Sequence, residues 1–412
     1  MDSRLYWIWL QQALPAGSRA VEDLLDAFGH ARVVYEATPE QLKSVGMTDA
    51  LCRSLSDKSL DKAHRILNRV LEMGDWVLTP EDALFPLSLR HMTGCPAALY
   101  ARGAMPDLDR TPAVAVVGTR HASRTGWREA YALSAGLAAG GMVVVSGGAV
   151  GIDAAAHSGA VSAGGTTIVV MACPLNEKYP RENESLRRQV VANGGSLLSE
   201  FPPDEPYKCE FPIRNRLMVG LSQAVCLAET PTRSGARITA RLAREENREV
   251  FALPGALAGH MYDGAHKEIQ SGATLVIRAT DILREYAPLF PGMLDLEAAE
   301  QMQKQAERGG APHSQEKEKV KEQEKPRRKR NRRESKKQTA VTETAPVASV
   351  ACPPSASAAA QQVYAALTDR FVPVDELAAA AHMPVAALLA ALTELEMYGC
   401  AENGAGQQYK RS

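Results

Sequence analysis

The sequence predicts an α/β protein built on an open, mostly parallel sheet. A small helical module precedes that core and a second small domain follows it. Three observations carry this reading. Residues about 110–290 alternate short Val/Ile-rich runs with helical stretches. Most of the runs are apolar throughout instead of alternating with polar residues, the pattern of strands covered on both faces. Composition also shifts along the chain and marks four regions: 1–75, 76–290, 291–357 and 358–412.

Residues 1–75 carry helical periodicity in short pieces such as Val21–Phe28 and Pro39–Val45, with the turn LPAGS between Leu14 and Ser18. The core strands are expected at Ala113–Val117, Met142–Ser146, Thr166–Met171, Ser196–Leu198, Gln223–Leu227, Glu249–Leu253 and Ala273–Val276. Helices are expected between them at Arg124–Ala139, Ile152–Ala163, Asn183–Ala192, Ile213–Leu221 and Gly235–Glu246. A last one, Asp281–Tyr286, is expected to take Thr280 as its cap. Strand–helix alternation at this spacing argues for right-handed βαβ units. Residues 291–357 turn to Glu, Lys, Arg, Gln, Pro and Ala, which cannot bury enough surface to offset ordering entropy, so a disordered charged linker is expected. Periodicity returns at Ala360–Leu367, Val374–Ala381 and Val385–Tyr398, before a hairpin around Gly404.

The formal charge of the 412 residues is −1, but the balance is uneven. Residues 316–337 hold 12 Lys/Arg against 5 Asp/Glu, leaving a net of −8 elsewhere. A uniformly basic coat is therefore excluded, and contact with a polyanion must be local. The apolar runs fall far short of the ~20 residues that span a bilayer, and the start, MDSRLYWIWLQQ, lacks the pattern of a signal peptide. Seven scattered cysteines with no C-x-x-C pair, and nine histidines with no H-x-x-x-H, support neither a disulfide frame nor a metal site. A soluble cytoplasmic protein without a cofactor is the expectation.

In an open parallel sheet, ligands bind outside the carboxyl ends of the strands. Three turns there have phosphate chemistry. The first is Gly118-Thr119-Arg120, where glycine permits close approach and arginine offers a planar fork. The second, Ser146-Gly147-Gly148-Ala149-Val150-Gly151, leads into a helix whose N–H groups and positive end favour an anion. The third is Thr232-Arg233-Ser234-Gly235. Any one of them could serve packing alone; three on one edge point to an anionic ligand. A Walker A loop, a G-x-G-x-x-G fingerprint and a G-x-S-x-G elbow are all absent. Asp153, His157 and Glu229 are the acid–base residues near the turns. For Asp153 a cap role is expected, and for His157 a satisfied structural one. Phe211-Pro212-Ile213-Arg214-Asn215-Arg216 adds two guanidinium groups at a helix start, either facing a ligand or paired with local acids, with Phe211 and Met218 as core anchors in the second case.

The runs AVVGTR (115–120), SGGAVGIDAAAH (146–157), YP (179–180), SEFP (199–202), FPIRNRLMVGLS (211–222), AET…SGARITA (228–240) and VFALPG (250–255) stand in the order of the DNA-processing protein A (DprA/Smf) family, which this chain closely resembles. The resemblance implies a Rossmann-like, non-catalytic core that binds single-stranded DNA. Family members protect incoming strands during natural transformation, load the RecA recombinase and act as homodimers. By motif, Gly118, Thr119 and Arg120 would clasp backbone phosphate. Ser146, Gly147, Gly148 and Gly151 belong to the second turn. Arg214, Asn215 and Arg216 would shape or line the groove, and Ser234 and Gly235 would close it.

The chain departs from the family pattern in three places. Gly148 and Val150 replace a leucine and a basic residue of the second turn; the lost cation implies a salt slope smaller by about 0.7. Pro174 stands where a glycine is usual. AHKEIQSGA, with His266 and Glu268, replaces the usual text after Gly264.

Residues 1–75 resemble a helix-hairpin-helix or SAM-like module, expected to pack and not to touch DNA, because LPAGS is not basic. Residues 358–412 resemble a winged helix whose core, VPVDELAAAAHMPVAALLAALTELE, has no Lys or Arg, so protein contact is favoured over duplex reading. Few Phe and Tyr lie near the turns in the sequence, so backbone contacts are expected to dominate over base stacking. The alternative, an enzyme of the related phosphoribohydrolase class, would need P-G-G-x-G-T, which is missing.

Overall fold

The computed structural model describes residues 2–207, 211–309, 357–368, 370–397, 400–404 and 408–411. Two units divide the chain, Met1–Pro326 and Arg327–Ser412.

The first unit opens with six short helices: α1 (Arg4–Ala13), α2 (Ala20–Phe28), α3 (Ala31–Glu36), α4 (Pro39–Ser44), α5 (Asp49–Ser56) and α6 (Asp61–Glu72). Local chemistry sets several of their ends. Thr38 and Gln41 form a reciprocal capping box at the start of α4, and Thr48 accepts from Leu51 N–H at the start of α5. Helix α1 is buried all round, from Leu5 to Leu10, and the other helices pack apolar residues around it, Leu24, Val34, Leu42, Leu55 and Ile66 among them. Their core continues into Tyr100, Val169, Met171 and Leu197 of the sheet. The module is also stitched down by Gln11, whose Nε2 donates to the carbonyls of Ala98 and Glu200 at 2.8 Å each, and whose Oε1 accepts from Tyr100 at 2.6 Å.

Among the described residues the sheet has nine strands. β1 (Trp76–Leu78), α7 (Leu87–Arg90) and β2 (Leu99–Gly103) come first. Then follow β3 (Ala113–Val117), α8 (Arg124–Ala139), β4 (Val143–Ser146), α9 (Ile152–Ser162), β5 (Thr167–Met171), α10 (Glu184–Ala192) and β6 (Ser196–Ser199). The second half runs α11 (Phe211–Gly220), β7 (Ala224–Leu227), α12 (Gly235–Glu245), β8 (Glu249–Ala252), α13 (Asp263–Gln270), β9 (Thr274–Leu275), α14 (Ala279–Tyr286) and α15 (Leu296–Gly309). The strand order is β1-β2-β6-β5-β4-β3-β7-β8-β9. Strands β3 to β9 are parallel and match the seven expected from the sequence; β1 and β2 add an antiparallel edge beside β6 that periodicity did not reveal.

Strand alternation sorts the core. Val114, Val116 and Val144 pack with α8, α9, α14 and α15 on one face. Ala113, Ala115, Val143 and Val145 pack with residues of α11, α12 and α13 on the other. Neighbouring β3 and β7 therefore send their helices, α8 and α12, to opposite faces. That is a topological switch point, where a crevice opens at the carboxyl ends.

Two expectations are corrected. Thr280 is buried within α14, not its cap; the Asp281 carboxylate instead accepts from Ile277 and Arg278 N–H at 3.0 and 2.9 Å. The linker expected from residue 291 contains α15, which lies on α8. Gly136 of α8 leaves room there: a Cβ on it would stand 3.0 Å from the Ala299 carbonyl. Small Ala299 and buried Gln303, which accepts from Ala279 N–H at 2.8 Å, replace the large apolar residues whose absence suggested a linker. Residues 310–356 of that expected linker lie outside the described residues.

In the second unit, α16 (Ala358–Ala366), β10 (Val372–Pro373), α17 (Val374–Ala380), α18 (Val385–Met397), β11 (Ala401–Gly404) and β12 (Gln408–Arg411) form a three-helix, three-strand winged helix with strand order β10-β12-β11. Leu377, Leu388, Leu392, Leu395 and Tyr409 make its core. Among the described residues, no helix of either unit is long and apolar enough to cross a membrane.

Candidate nucleic-acid interface

The switch point brings the first two turns into direct contact. Gly118, at the end of β3, lies so close to α9 that a Cβ would fall 2.6 Å from Ile152 Cγ1. Gly151, at the head of α9, has φ +82°, and its Cβ would stand 2.4 Å from the Thr119 carbonyl and 2.6 Å from that of Arg120. Only glycine meets both demands. Ile152 N–H then donates to the Thr119 carbonyl at 3.1 Å, and Thr119 N–H to the Glu229 carbonyl at 2.8 Å. The first turn is thus seated between the second turn and the base of the third. Ser234 caps α12 by accepting from Ala236 N–H at 3.3 Å, and exposed Gly235 has open space where a side chain would be.

Arg120 is exposed on this rim, and no carboxylate among the described residues lies within ion-pairing distance of it. Its guanidinium rests over the Phe211 ring, 4.1 Å from the centroid. The Tyr179 ring is 6.4 Å from that of Phe211 and is 47% exposed. Two side chains hold the Tyr179 segment. Arg187 donates to the carbonyls of Tyr179 and Pro180 at 3.2 and 3.0 Å. Asn183 donates to the carbonyls of Gly148 and Ala149 at 3.0 and 2.8 Å. Aromatic faces therefore do stand at the rim, although in sequence they are distant from the Gly-rich turns. Phe211 is half-buried and faces Arg120, whereas Met218 is the core anchor.

Arg214, Asn215 and Arg216, expected to shape or line the groove, are all buried. Arg214 Nη1 donates to the carbonyls of Gly147 and Val170, tying the second turn to β5, and its Nε donates to Asn215 Oδ1 at 3.1 Å. Arg216 pairs with both Glu200 oxygens at 2.7 and 2.8 Å. Arg214 is thus bonded to the protein interior, whereas Arg216 is held through Nη2 alone, its buried Nε and Nη1 having no hydrogen-bond partner among the described residues. The Ser146 hydroxyl is likewise internal, donating to the Val116 carbonyl at 2.6 Å.

The acid–base candidates are also buried and each makes an internal hydrogen bond, with His157 Nε2 and Glu229 Oε1 left without a partner among the described residues. Asp153 accepts from Ala149 N–H at 3.3 Å; burial raises its pKa, opposed by the positive charge of Arg214. Burial in turn lowers the pKa of Arg214, opposed by Asp153. His157 Nδ1 lies 2.8 Å from Thr167 Oγ1, and because that hydroxyl donates to the Val144 carbonyl, the ring is the donor between them. Burial pulls the His157 pKa down to about 3. Glu229 is 1% exposed and accepts from Ser123 N–H at 2.6 Å, under the first turn of α8. No cluster of three or more potential metal ligands occurs among the described residues.

Comparison with known proteins agrees with this architecture. The family model for DNA recombination-mediator protein A matches residues 76–287, and the DprA winged helix domain matches 347–407. The DNA processing protein DprA of Streptococcus pneumoniae is 41% identical over 206 residues, 50% of this chain and 72% of its own. Its Bacillus subtilis counterpart is 35% identical over 254 residues, 61% of this chain and 84% of its own. The X-ray structure of Streptococcus pneumoniae DprA superimposes with a TM-score of 0.59 and 32% identity, over 67% of this chain and 95% of that one. A core matched from β1 to α14 and a matched winged helix place the chain in the DNA recombination-mediator protein A family, the DprA/Smf proteins.

Proposed function

We propose that this chain binds single-stranded DNA without transforming it, and that it delivers the strand to a RecA recombinase. The observation that carries the reading is Arg120. It is an exposed cation at the junction of two Gly-rich turns, with no carboxylate partner among the described residues and its guanidinium over the Phe211 ring. A phosphate accepts charge-assisted hydrogen bonds from such a fork. The Phe211 and Tyr179 rings offer π-faces to bases of any identity, which suits a strand bound without sequence preference. Gly118, Thr119, Gly147, Gly148 and Gly151 bring backbone to the phosphate, and Ser234 and Gly235 border the groove. Asp153, His157 and Glu229 are buried and engaged within the protein, which supports binding over catalysis.

The same reading includes a homodimer. Among the described residues β9 ends the sheet without a further partner, and Leu275 and Ile277 beside it are 50% and 58% exposed. A bare apolar edge of this kind favours pairing with another copy.

Fluorescence anisotropy with single- and double-stranded oligonucleotides tests the binding. Preference for single strands, strongly reduced in Arg120→Ala, is expected; equal affinity for both forms, or an unaffected variant, overturns it. RecA assembly on strands precoated with single-strand-binding protein tests delivery, and sedimentation of Ile277→Lys tests the dimer.

A further inference from the structure

Arg120 does not stand alone on its side of the rim. Arg124 and Arg128 follow it at intervals of four residues, on the first two turns of α8, and both are exposed. Residues four apart share a helix face, separated by about 6 Å along the axis. No carboxylate lies within ion-pairing distance of Arg124 or Arg128 among the described residues. Between Gly118 and Leu133 the sequence holds one acid, Glu129. Its carboxylate accepts from the Tyr262 hydroxyl and is not paired with either arginine. Arg188 and Arg241, by contrast, each pair with an acid on their own helix, Arg188–Glu184 at 3.2 Å and Arg241–Glu245 at 3.5 Å. The next position on the α8 face, Ala132, is buried, so the charged line stops after two turns.

We infer that Arg124 and Arg128 form a phosphate track that carries a nucleic-acid strand away from the Arg120 rim along α8. The inference rests on the single-strand reading above and deepens it. Arg120 grips the strand at the crevice, and the two helix arginines bind the backbone phosphates that follow, without reading bases. Glutamine at both positions keeps helix propensity and removes only charge, because neither side chain is buried.

The test uses the full chain, oligothymidylates of graded length and a series of salt concentrations. In Arg124→Gln/Arg128→Gln, the shortest oligomers that saturate the crevice bind as they do to the unaltered protein. Longer ones bind more weakly, with a salt slope smaller by about 1.4, two phosphates at ~0.7 each. Arg120→Ala weakens binding at every length. An unchanged slope on long oligomers in the double variant, with unchanged thermal stability, overturns the track while leaving the crevice intact. Loss of the Arg120→Ala effect at all lengths overturns the crevice reading and the track with it.

Discussion

The guanidinium of Arg120 lies 4.1 Å from the centre of the Phe211 ring, joining two sequence motifs separated by the whole of β4, β5 and β6. The ring face holds the cation at the rim, where its N–H groups can reach a phosphate. Phe211→Ala is expected to weaken single-strand binding by about 1–3 kcal/mol, the range of one base–aromatic stack, with a smaller loss for Tyr179→Ala. Titration by anisotropy checks this, and native affinity in Phe211→Ala would contradict it.

Gly151→Ala forces a side chain onto a φ of +82° and against the Thr119 and Arg120 carbonyls. It is expected to cost about 1–3 kcal/mol of stability and to displace the first turn, abolishing binding. Gly235→Ala is the contrast, since nothing lies within 4 Å of the added atom. Its melting temperature should be native, while its affinity falls because the new methyl group enters the proposed groove. Calorimetry and anisotropy on the two variants separate these outcomes.

Arg216 and Glu200 are a buried ion pair, in which one guanidinium nitrogen donates to both carboxylate oxygens and the side chains are 8% and 6% exposed. Removing one partner leaves an uncompensated charge, so Arg216→Met is expected to cost about 3–5 kcal/mol. The double variant Arg216→Met/Glu200→Leu should recover most of that loss. Urea denaturation checks both, and a mild single variant would show that the pair does not hold α11 in place.

His157 makes stability depend on pH. Its pKa falls from 6.5 in a free chain to about 3 in the fold, so the unfolded state binds the extra proton between those values. The contribution is complete above pH 6.5 and is lost progressively as pH falls toward 3. Between pH 7 and 5 the loss from this group alone is about 2 kcal/mol. His157→Gln should flatten that part of the urea-midpoint profile, whatever its stability at pH 7. A profile unchanged in slope would contradict the assignment.

The central parallel strands were legible because each is buried along its whole length and reads as a near-continuous apolar run. The Ala113–Val117 strand and the Arg124–Ala139 helix have the bounds the sequence predicts. β1 and β2 were not legible, being paired through an antiparallel edge that exists only once β6 is in place. Helix α15 was hidden for a related reason. Its contact with α8 is made by small residues against Gly136, so it carries little apolar signal of its own.

The site divides along the same line. Local sequence determined the three turns, since glycine at a strand end and serine at a helix start are demanded by backbone geometry that a few residues specify. Burial and partnership belong to the tertiary structure. The arginines of FPIRNR look identical to Arg120 in sequence, and only packing shows that Arg214 and Arg216 face inward onto carbonyls and Glu200. Only packing, too, sets Phe211 and Tyr179 beside Arg120, because the contact spans separate βαβ units. A residue's type fixes what it can bind; the chain's long-range path decides whether another part of the protein has already bound it.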